Sequence, residues 1–292
     1  MGLEMDNRNR LGYPSHTRKN QQNPSTTSQG VSDSDTSSSR LFLWCNFFGK
    51  FEVVYDDEVL ILPNSTKSLA ILRYLLASPK RPVSRDFLID WLWPESDLVK
   101  GKYSVNSAVC VLRKLFSSVY PTLAPTDCIL LEQDYYRLSP NICVTSDKDE
   151  FDAHYKRGRQ LERAEWASEA IAEYDEAVAL YKGEFLSEDL YEEWTLIERQ
   201  RLDSVYIDIL ERIAAYHKVN CNYRECIETY YKILAKEPCH ESSHRFLMDC
   251  YAQLGLRAQA SRQFKLCERI LRRRYGVAPS LDIKTLHEQL RE

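Results

Sequence analysis

The stretch KGKYSVNSAVCVLRKLF, which runs from Lys100 to Phe116, combines helical spacing with an unusual charge. Its apolar residues recur every three or four positions and therefore share one face of a helix: Val105, Val109, Leu112 and Phe116. Between Leu98 and Thr126 there are four basic residues and no Asp or Glu, although the whole chain has 43 acidic and 39 basic residues. This pattern predicts a helix that buries an apolar stripe and offers its cations to an anionic partner.

The remaining faces of this helix carry groups that are suited to reading DNA. They combine cations that attract phosphate with an amide that can pair with adenine, hydroxyl groups and an aromatic ring. The candidate DNA-contacting residues of the helix are Lys100, Lys102, Tyr103, Asn106, Ser107, Cys110, Arg113 and Lys114. A solvated surface helix can have the same charges, so the spacing alone leaves both interpretations open.

The segments around the helix predict which kind of domain contains it. Three apolar runs within residues 41–63, separated by turn signals, predict three strands, and an amphipathic helix follows over residues 66–78. Ser84 is the expected N-cap of a short helix that Pro94 ends. After the long helix, a turn at Gln133 and Asp134 separates two more strands. This order of elements predicts a winged helix-turn-helix.

The final hairpin would be the wing, the β-hairpin that lies beside the DNA backbone. Tyr135, Tyr136 and Arg137 are its residues most able to reach a phosphate, and Tyr136 and Arg137 complete the predicted DNA-binding set. Glu132 and Asp134 oppose such a contact through their charge.

The C-terminal half repeats a small residue, then an aromatic residue four positions on, then a small or apolar residue three further. The three occurrences are Ala170-Tyr174-Ala177, Cys226-Tyr230-Ile233 and Ala260-Phe264-Cys267. The last two begin 34 residues apart, which is the tetratricopeptide period. We therefore expect an α-solenoid of about three helix pairs, with the aromatic residues enclosed between helices.

Composition divides the chain into three parts. Residues 1–40 are polar and predicted to be disordered, residues 41–146 form the winged-helix domain, and residues 147–292 form the helical domain. The fold class is therefore mainly α, with an α+β winged domain followed by an all-α domain. No secretory signal and no long apolar run occurs, so we expect a cytoplasmic protein that does not contact a membrane.

No motif in the sequence indicates catalysis, a cofactor or a metal. A possible zinc cluster consists of Cys221, Cys226, Cys239, His240, His244 and Cys250. Its spacings match no strong template, and Cys226 occupies a repeat packing position, so buried free thiols are the favoured interpretation. We expect a protein that is not an enzyme.

Several segments resemble a known family of regulators. SRDFLIDWLWPE, SAVCVLRKLF and YYRLS are similar to the OmpR-type winged helix of the Streptomyces antibiotic regulatory protein (SARP) family. The segments DEFDAHYKRGRQLERAEWASEAIAEYDEAVALYKGEFL, HESSHRFLMDCYAQLG and RRRYGVAPSLDIKTLHEQL resemble the bacterial transcriptional activator domain that follows it in those proteins.

The resemblance implies a transcriptional activator that binds direct repeats in promoter DNA as a homodimer, at the bacterial nucleoid. It also implies engagement of RNA polymerase, for which the loop before the long helix offers Trp93, Glu95 and Asp97. An alternative function is a protein–protein interaction scaffold whose winged domain has lost DNA binding. The equal numbers of basic and acidic residues in positions 41–146 favour that alternative.

Overall fold

A computed structural model describes residues 40–290 of the chain. Residues 1–39 of the segment predicted to be disordered lie outside the described residues. The described chain divides into two compact units, one made of residues 40–43 and 53–144 and the other of residues 44–52 and 145–290. The predicted domain boundary after residue 146 stays a prediction. The sequence did not indicate that residues 44–52 belong to the same compact unit as the C-terminal half.

The three strands expected at the start of the folded chain are present. They are β1 (Leu41–Asn46), β2 (Glu52–Tyr55) and β3 (Glu58–Val59). Asp56 and Asp57 both have positive φ, which is the geometry of a type I′ hairpin turn between β2 and β3. With β7 (Ile142–Ser146), which the sequence did not predict, these strands form a sheet in the order β3-β2-β1-β7.

The three predicted helices of the winged unit follow. They are α1 (Thr66–Ala77), α2 (Arg85–Leu92) and α3 (Leu98–Val119). The predicted cap at Ser84 is confirmed, because its hydroxyl accepts a hydrogen bond from the backbone N–H of Phe87 at 3.1 Å. The apolar stripe of α3 is also confirmed, since Val105, Val109 and Leu112 are completely buried.

The predicted wing is present as well. After the short helix α4 (Pro125–Cys128), strands β5 (Ile129–Glu132) and β6 (Tyr135–Leu138) form the hairpin. The two-residue strand β4 (Val83–Ser84) pairs with β6 and extends the hairpin to a sheet in the order β4-β6-β5. Neither β4 nor α4 was predicted, because such short elements leave little periodic signal.

The C-terminal half is helical from Asp147, as expected for a mainly α fold class. Its helices are α5 (Asp147–Arg163), α6 (Ala167–Leu180), α7 (Glu193–Val219), α8 (Tyr223–Lys236), α9 (Glu241–Gln253), α10 (Arg257–Tyr275) and α11 (Leu281–Gln289). The pairs α5–α6, α7–α8 and α9–α10 correspond to the expected three helix pairs, and α11 follows them. Among the helices of residues 40–290, none is long and apolar enough to cross a bilayer.

The repeated packing positions are buried with one exception. Tyr174 and Tyr230 are 0% and 3% exposed, which confirms that they lie between helices. Gly158 of α5 permits the close approach of α6, because a Cβ atom there would overlap the ring of Tyr174. Phe264 is the exception in degree: it is half-buried, packs against the core formed by α9, α10 and α11, and stacks in parallel on His287 of α11 with the ring centroids 4.0 Å apart. The period placed Phe264 on the correct helix, and within residues 40–290 the single helix α11 covers it in place of a helix pair.

Candidate nucleic-acid interface

The helix-turn-helix geometry of α2 and α3 depends on two residues at the start of α3. Asp97 is its N-cap, and its carboxylate accepts a hydrogen bond from the backbone N–H of Lys100 at 2.8 Å. That bond is the main reason why the pKa of Asp97 lies below its usual range. Gly101 is buried against α2, where a Cβ atom would collide with the side chain of Ile89. The start of α3 is therefore fixed both electrostatically and sterically.

The face of α3 opposite its buried stripe is exposed. It carries most of the predicted DNA-contacting residues: Lys102, Tyr103, Asn106, Ser107, Cys110 and Lys114. Tyr103 is 70% exposed, so its ring is available to a partner. Lys100 is also exposed, but its ammonium lies 3.2 Å from the carboxylate of Asp97 and is partly neutralised by it. Hydrogen-bond donors, a side-chain amide and an aromatic ring therefore lie together on the exposed surface of the N-terminal half of α3.

Tyr136 has a different role from the predicted one. It is 1% exposed, and its hydroxyl donates a 2.6 Å hydrogen bond to Oδ1 of Asn106. A buried phenol with a satisfied hydroxyl is not available to a phosphate. Tyr136 therefore orients the amide of Asn106, whose NH2 group and second Oδ1 lone pair remain available for a base edge.

Arg113 is the second predicted residue that the structure places elsewhere. It is half-buried, and its Nε donates a 3.0 Å hydrogen bond to the backbone carbonyl of Ile129. The guanidinium thus ties α3 to the first residue of β5. Arg113 joins α3 to the wing, and we assign it no phosphate contact.

The wing has internally paired charges. Gln133 and Asp134 have positive φ and form its tight turn, and Tyr135 beside the turn is 49% exposed. Arg137 donates hydrogen bonds to both carboxylate oxygens of Glu132, which lowers the pKa of Glu132 below its usual range. Asp134 is paired in turn with Arg85 at 3.0 Å. To make the predicted phosphate contact, Arg137 would have to break its ion pair with Glu132 and form one with the phosphate.

The predicted polymerase-contact loop lies between α2 and α3 and is partly structural. Glu95 is exposed, whereas Asp97 is occupied in capping α3. Trp93 is half-buried at the end of α2, with the ammonium of Lys67 4.6 Å from its ring centroid. Glu95 is therefore the residue of the three whose side chain is most available to a partner.

Three of the six residues of the possible zinc cluster, Cys226, His244 and Cys250, are buried and have hydrogen-bond partners within the protein. Cys226 and Cys250 are buried with their sulfur atoms 3.3 Å apart, and all nine cysteines are free thiols. His244 bonds the carbonyl of Pro238 through Nε2 and the side-chain amide of Gln263 through Nδ1. Within residues 40–290, no group of three or more His, Cys, Asp or Glu side chains is arranged to hold a metal ion.

Comparison with known proteins identifies the C-terminal half. Residues 146–291 match the model of the bacterial transcriptional activator domain. Two relatives are the transcriptional regulatory protein MoaR1 of Mycobacterium bovis and that of Mycobacterium tuberculosis. They are 23% and 24% identical to this chain over 246 and 232 residues, which cover 84% and 72% of this chain and 78% and 74% of the relatives.

A solved structure shares the fold. The structure of Mycobacterium tuberculosis EmbR in complex with a low-affinity phosphopeptide superimposes with a TM-score of 0.67 at 22% sequence identity. The match covers 86% of this chain but 65% of that chain, so this protein spans about two thirds of the length of EmbR.

A winged helix-turn-helix joined to a tetratricopeptide-like domain, with these relatives, defines a transcription regulator. The chain belongs to the bacterial transcriptional activator domain family, and its resemblance to SARP-type activators is confirmed.

Proposed function

We propose that this protein is a sequence-specific DNA-binding transcriptional activator whose α3 enters the major groove of promoter DNA. The observation that carries the proposal is the hydrogen bond from Tyr136 to Asn106. On a surface that contacts only water, an amide has no need of a fixed orientation. A buried tyrosine that holds the amide in one orientation is needed where the amide must pair with a base edge in a defined geometry.

The charge of α3 supports the same function. Lys102 and Lys114 are exposed on α3, a helix without a carboxylate. Residues 41–146 as a whole contain equal numbers of basic and acidic residues. Cations concentrated on one helix of a neutral unit produce a local positive surface that a polyanion can approach. On this proposal, Lys102, Lys114 and Tyr103 position the helix, while Asn106 and Ser107 read bases.

The helical unit would hold two copies on DNA and couple them to RNA polymerase. One winged helix covers few base pairs, so direct repeats require two copies in the same orientation. The tandem helix pairs of residues 147–290 offer the larger surface for that association. On this proposal the protein acts at the nucleoid, in the bacterial cytoplasm, and catalysis has no part in its role.

The proposal is tested by selecting genomic DNA fragments that the full chain retains, and then titrating the most enriched fragment at several salt concentrations. Affinity should fall steeply with salt, with a slope of about 0.9 per neutralised phosphate in a double-logarithmic plot. The Asn106→Ala variant should bind the enriched fragment about 1–3 kcal/mol more weakly and discriminate less at one base position. Equal enrichment by the wild type and Asn106→Ala would contradict the proposal.

A protein–protein scaffold is the second candidate, and the structure of the wing favours it. Arg137 and Arg85 are each neutralised by a wing carboxylate, and the apolar side chain of Val111 is 40% exposed on α3. A scaffold would bind its partner in the absence of DNA and show no sequence preference in the selection. The same experiment therefore separates the two candidates.

A further inference from the structure

Helix α10 has two faces of opposite character. Its buried face consists of Ala260, Gln263, Cys267 and Leu271, which pack against neighbouring helices. The diametrically opposite face is exposed and lined with cations at helical spacing: Arg262, Lys265, Arg269, Arg272 and Arg273. From Arg262 to Arg273 this row extends along the helix for about 16 Å, at about 1.5 Å per residue. We call these five residues the basic face of α10.

The basic face contrasts with the rest of its unit. Residues 147–292 contain 28 acidic and 23 basic residues, but the segment from Leu254 to Leu281 contains seven basic residues and one acidic residue, Glu268. Glu268 pairs with Arg272 at 3.0 Å. In the part of the chain that the structure describes, Lys265, Arg269 and Arg273 form no ion pair. An acidic unit thus presents one strongly positive helix.

Structural explanations account for only part of this arrangement. Cations in the last turn of a helix stabilise the negative end of its dipole, which explains Arg272, Arg273 and Arg274. The dipole does not reach Arg262, Lys265 and Arg269, which lie in the middle of α10. Solubility would be served equally well by mixed charges, as on the other helices of the unit.

We infer that the basic face of α10 binds the phosphate backbone of DNA, as a second contact that reads no bases. The inference rests on the proposed function, because that function brings the chain onto DNA. Four of the five cations are arginines, whose planar guanidinium matches a phosphate with two parallel hydrogen bonds.

The shape of the face favours DNA over an acidic protein. Tight protein interfaces are built around aromatic or aliphatic anchors, whereas Leu266, 37% exposed, is the apolar residue among these cations. A shallow, open groove on α10 is lined by Glu268 and by four of the five cations: Lys265, Arg269, Arg272 and Arg273. A row of cations without an anchor suits a partner whose charge is itself repeated along a line.

The test compares two triple variants of the full chain. The first replaces three cations of the basic face: Lys265→Gln, Arg269→Gln and Arg273→Gln. The second is a control that removes three exposed cations from other helices of the same unit: Lys156→Gln, Arg224→Gln and Lys232→Gln. Both lose the same net charge and place glutamine, a good helix former, on exposed helix positions. Binding to a mixed-sequence DNA duplex is measured over a range of salt concentrations.

We expect the basic-face variant to bind DNA about tenfold more weakly at low salt, with a salt slope smaller by about 2 to 3 than that of the wild type. The control should retain the wild-type slope, and base preference should be unchanged in both variants. Equal slopes for the two variants would overturn the inference. If the basic-face variant binds DNA normally but fails to activate transcription, the face binds a protein and the inference is also wrong.

Failure of the inference can be told apart from failure of the proposed function. In the first case the wild type still prefers its selected fragment, and Asn106→Ala still weakens that preference. In the second case no fragment is preferred by any variant, and the inference falls with the function on which it rests.

Discussion

Tyr136 of the wing and Asn106 of α3 are joined by a 2.6 Å hydrogen bond, in which the buried phenol donates to the exposed amide. The bond fixes which edge of the amide faces outward. It also connects β6 to α3 across 30 residues of sequence. On the proposed function, the wing would contribute to base recognition through the orientation of a side chain on another element.

Tyr136→Phe tests this relationship directly. The ring should stay buried and the fold intact, but Asn106 loses the partner that holds its amide. We expect the dissociation constant for the selected DNA fragment to rise about two- to tenfold, the effect of one neutral hydrogen bond. Fluorescence anisotropy measures the affinity and circular dichroism checks the fold. Tyr55→Phe, which removes a phenol hydroxyl from β2 outside both α3 and the wing, is the matched control and should bind as the wild type does.

Substitutions of Asn106 and Lys102 should weaken DNA binding in different ways. Asn106→Ala should cost about 1–3 kcal/mol of binding free energy and relax the preference at one base position. Lys102→Ala should weaken binding to all sequences alike and reduce the salt slope by about one. Competition between the selected fragment and its single-base variants measures the base preference, and titration at several salt concentrations measures the slope. If both substitutions leave binding unaltered, α3 is not the recognition helix.

Substitutions of Glu95 and Asp97 should separate an effect on partner binding from an effect on the stability of the fold. Asp97→Ala removes the N-cap of α3, so we expect a lower midpoint of thermal unfolding. Glu95→Ala should leave the midpoint unchanged, since its exposed side chain caps no helix. If the loop contacts RNA polymerase, Glu95→Ala should reduce transcription from a target promoter while promoter occupancy is retained. Parallel loss of occupancy and transcription would contradict that role.

The local features of the fold could be predicted from the sequence, and the non-local ones could not. The stripe from Val105 to Phe116 and the cap at Ser84 depend on residues a few positions apart, so their signals lie within one segment. The sequence favours a DNA-facing position for Tyr136 and Arg113, but a tyrosine or an arginine beside a basic helix can equally face the interior. Their burial is decided by partners on other elements, which spacing does not reveal.

Truncation of the aromatic residues of the repeats should destabilise the protein by amounts that follow their burial. Tyr230 is 3% exposed and stacks on Phe246 with the centroids 5.3 Å apart, so Tyr230→Ala should destabilise the protein by about 3–5 kcal/mol. Phe264 is half-buried against His287, and Phe264→Ala should cost less, about 1–2 kcal/mol. Urea unfolding measures both changes. Equal losses would show that Phe264 is as enclosed as the repeat pattern first indicated.

Asp147 holds the segment of residues 44–52 to the helical unit from the start of α5. Its carboxylate accepts hydrogen bonds from the backbone N–H groups of Phe47 at 2.8 Å and Phe48 at 2.9 Å. Burial raises the pKa of Asp147 from 3.8 to about 6, and the hydrogen bonds only partly offset that effect. The folded protein therefore takes up a proton at Asp147 at a higher pH than the unfolded chain does.

This difference predicts the direction of a pH dependence. Between pH values of about 4 and 6 the folded state binds more protons at Asp147 than the unfolded state, so the free energy of unfolding should decrease as the pH rises. The contribution is fully present below the unfolded pKa and is lost above the folded pKa, and it amounts to about 3 kcal/mol. Urea unfolding at a series of pH values measures it. Asp147→Asn retains one acceptor oxygen but cannot titrate, so the difference in stability between wild type and variant should change across this window and be constant outside it. A constant difference from pH 4 to 7 would show that burial does not disfavour the charged carboxylate here.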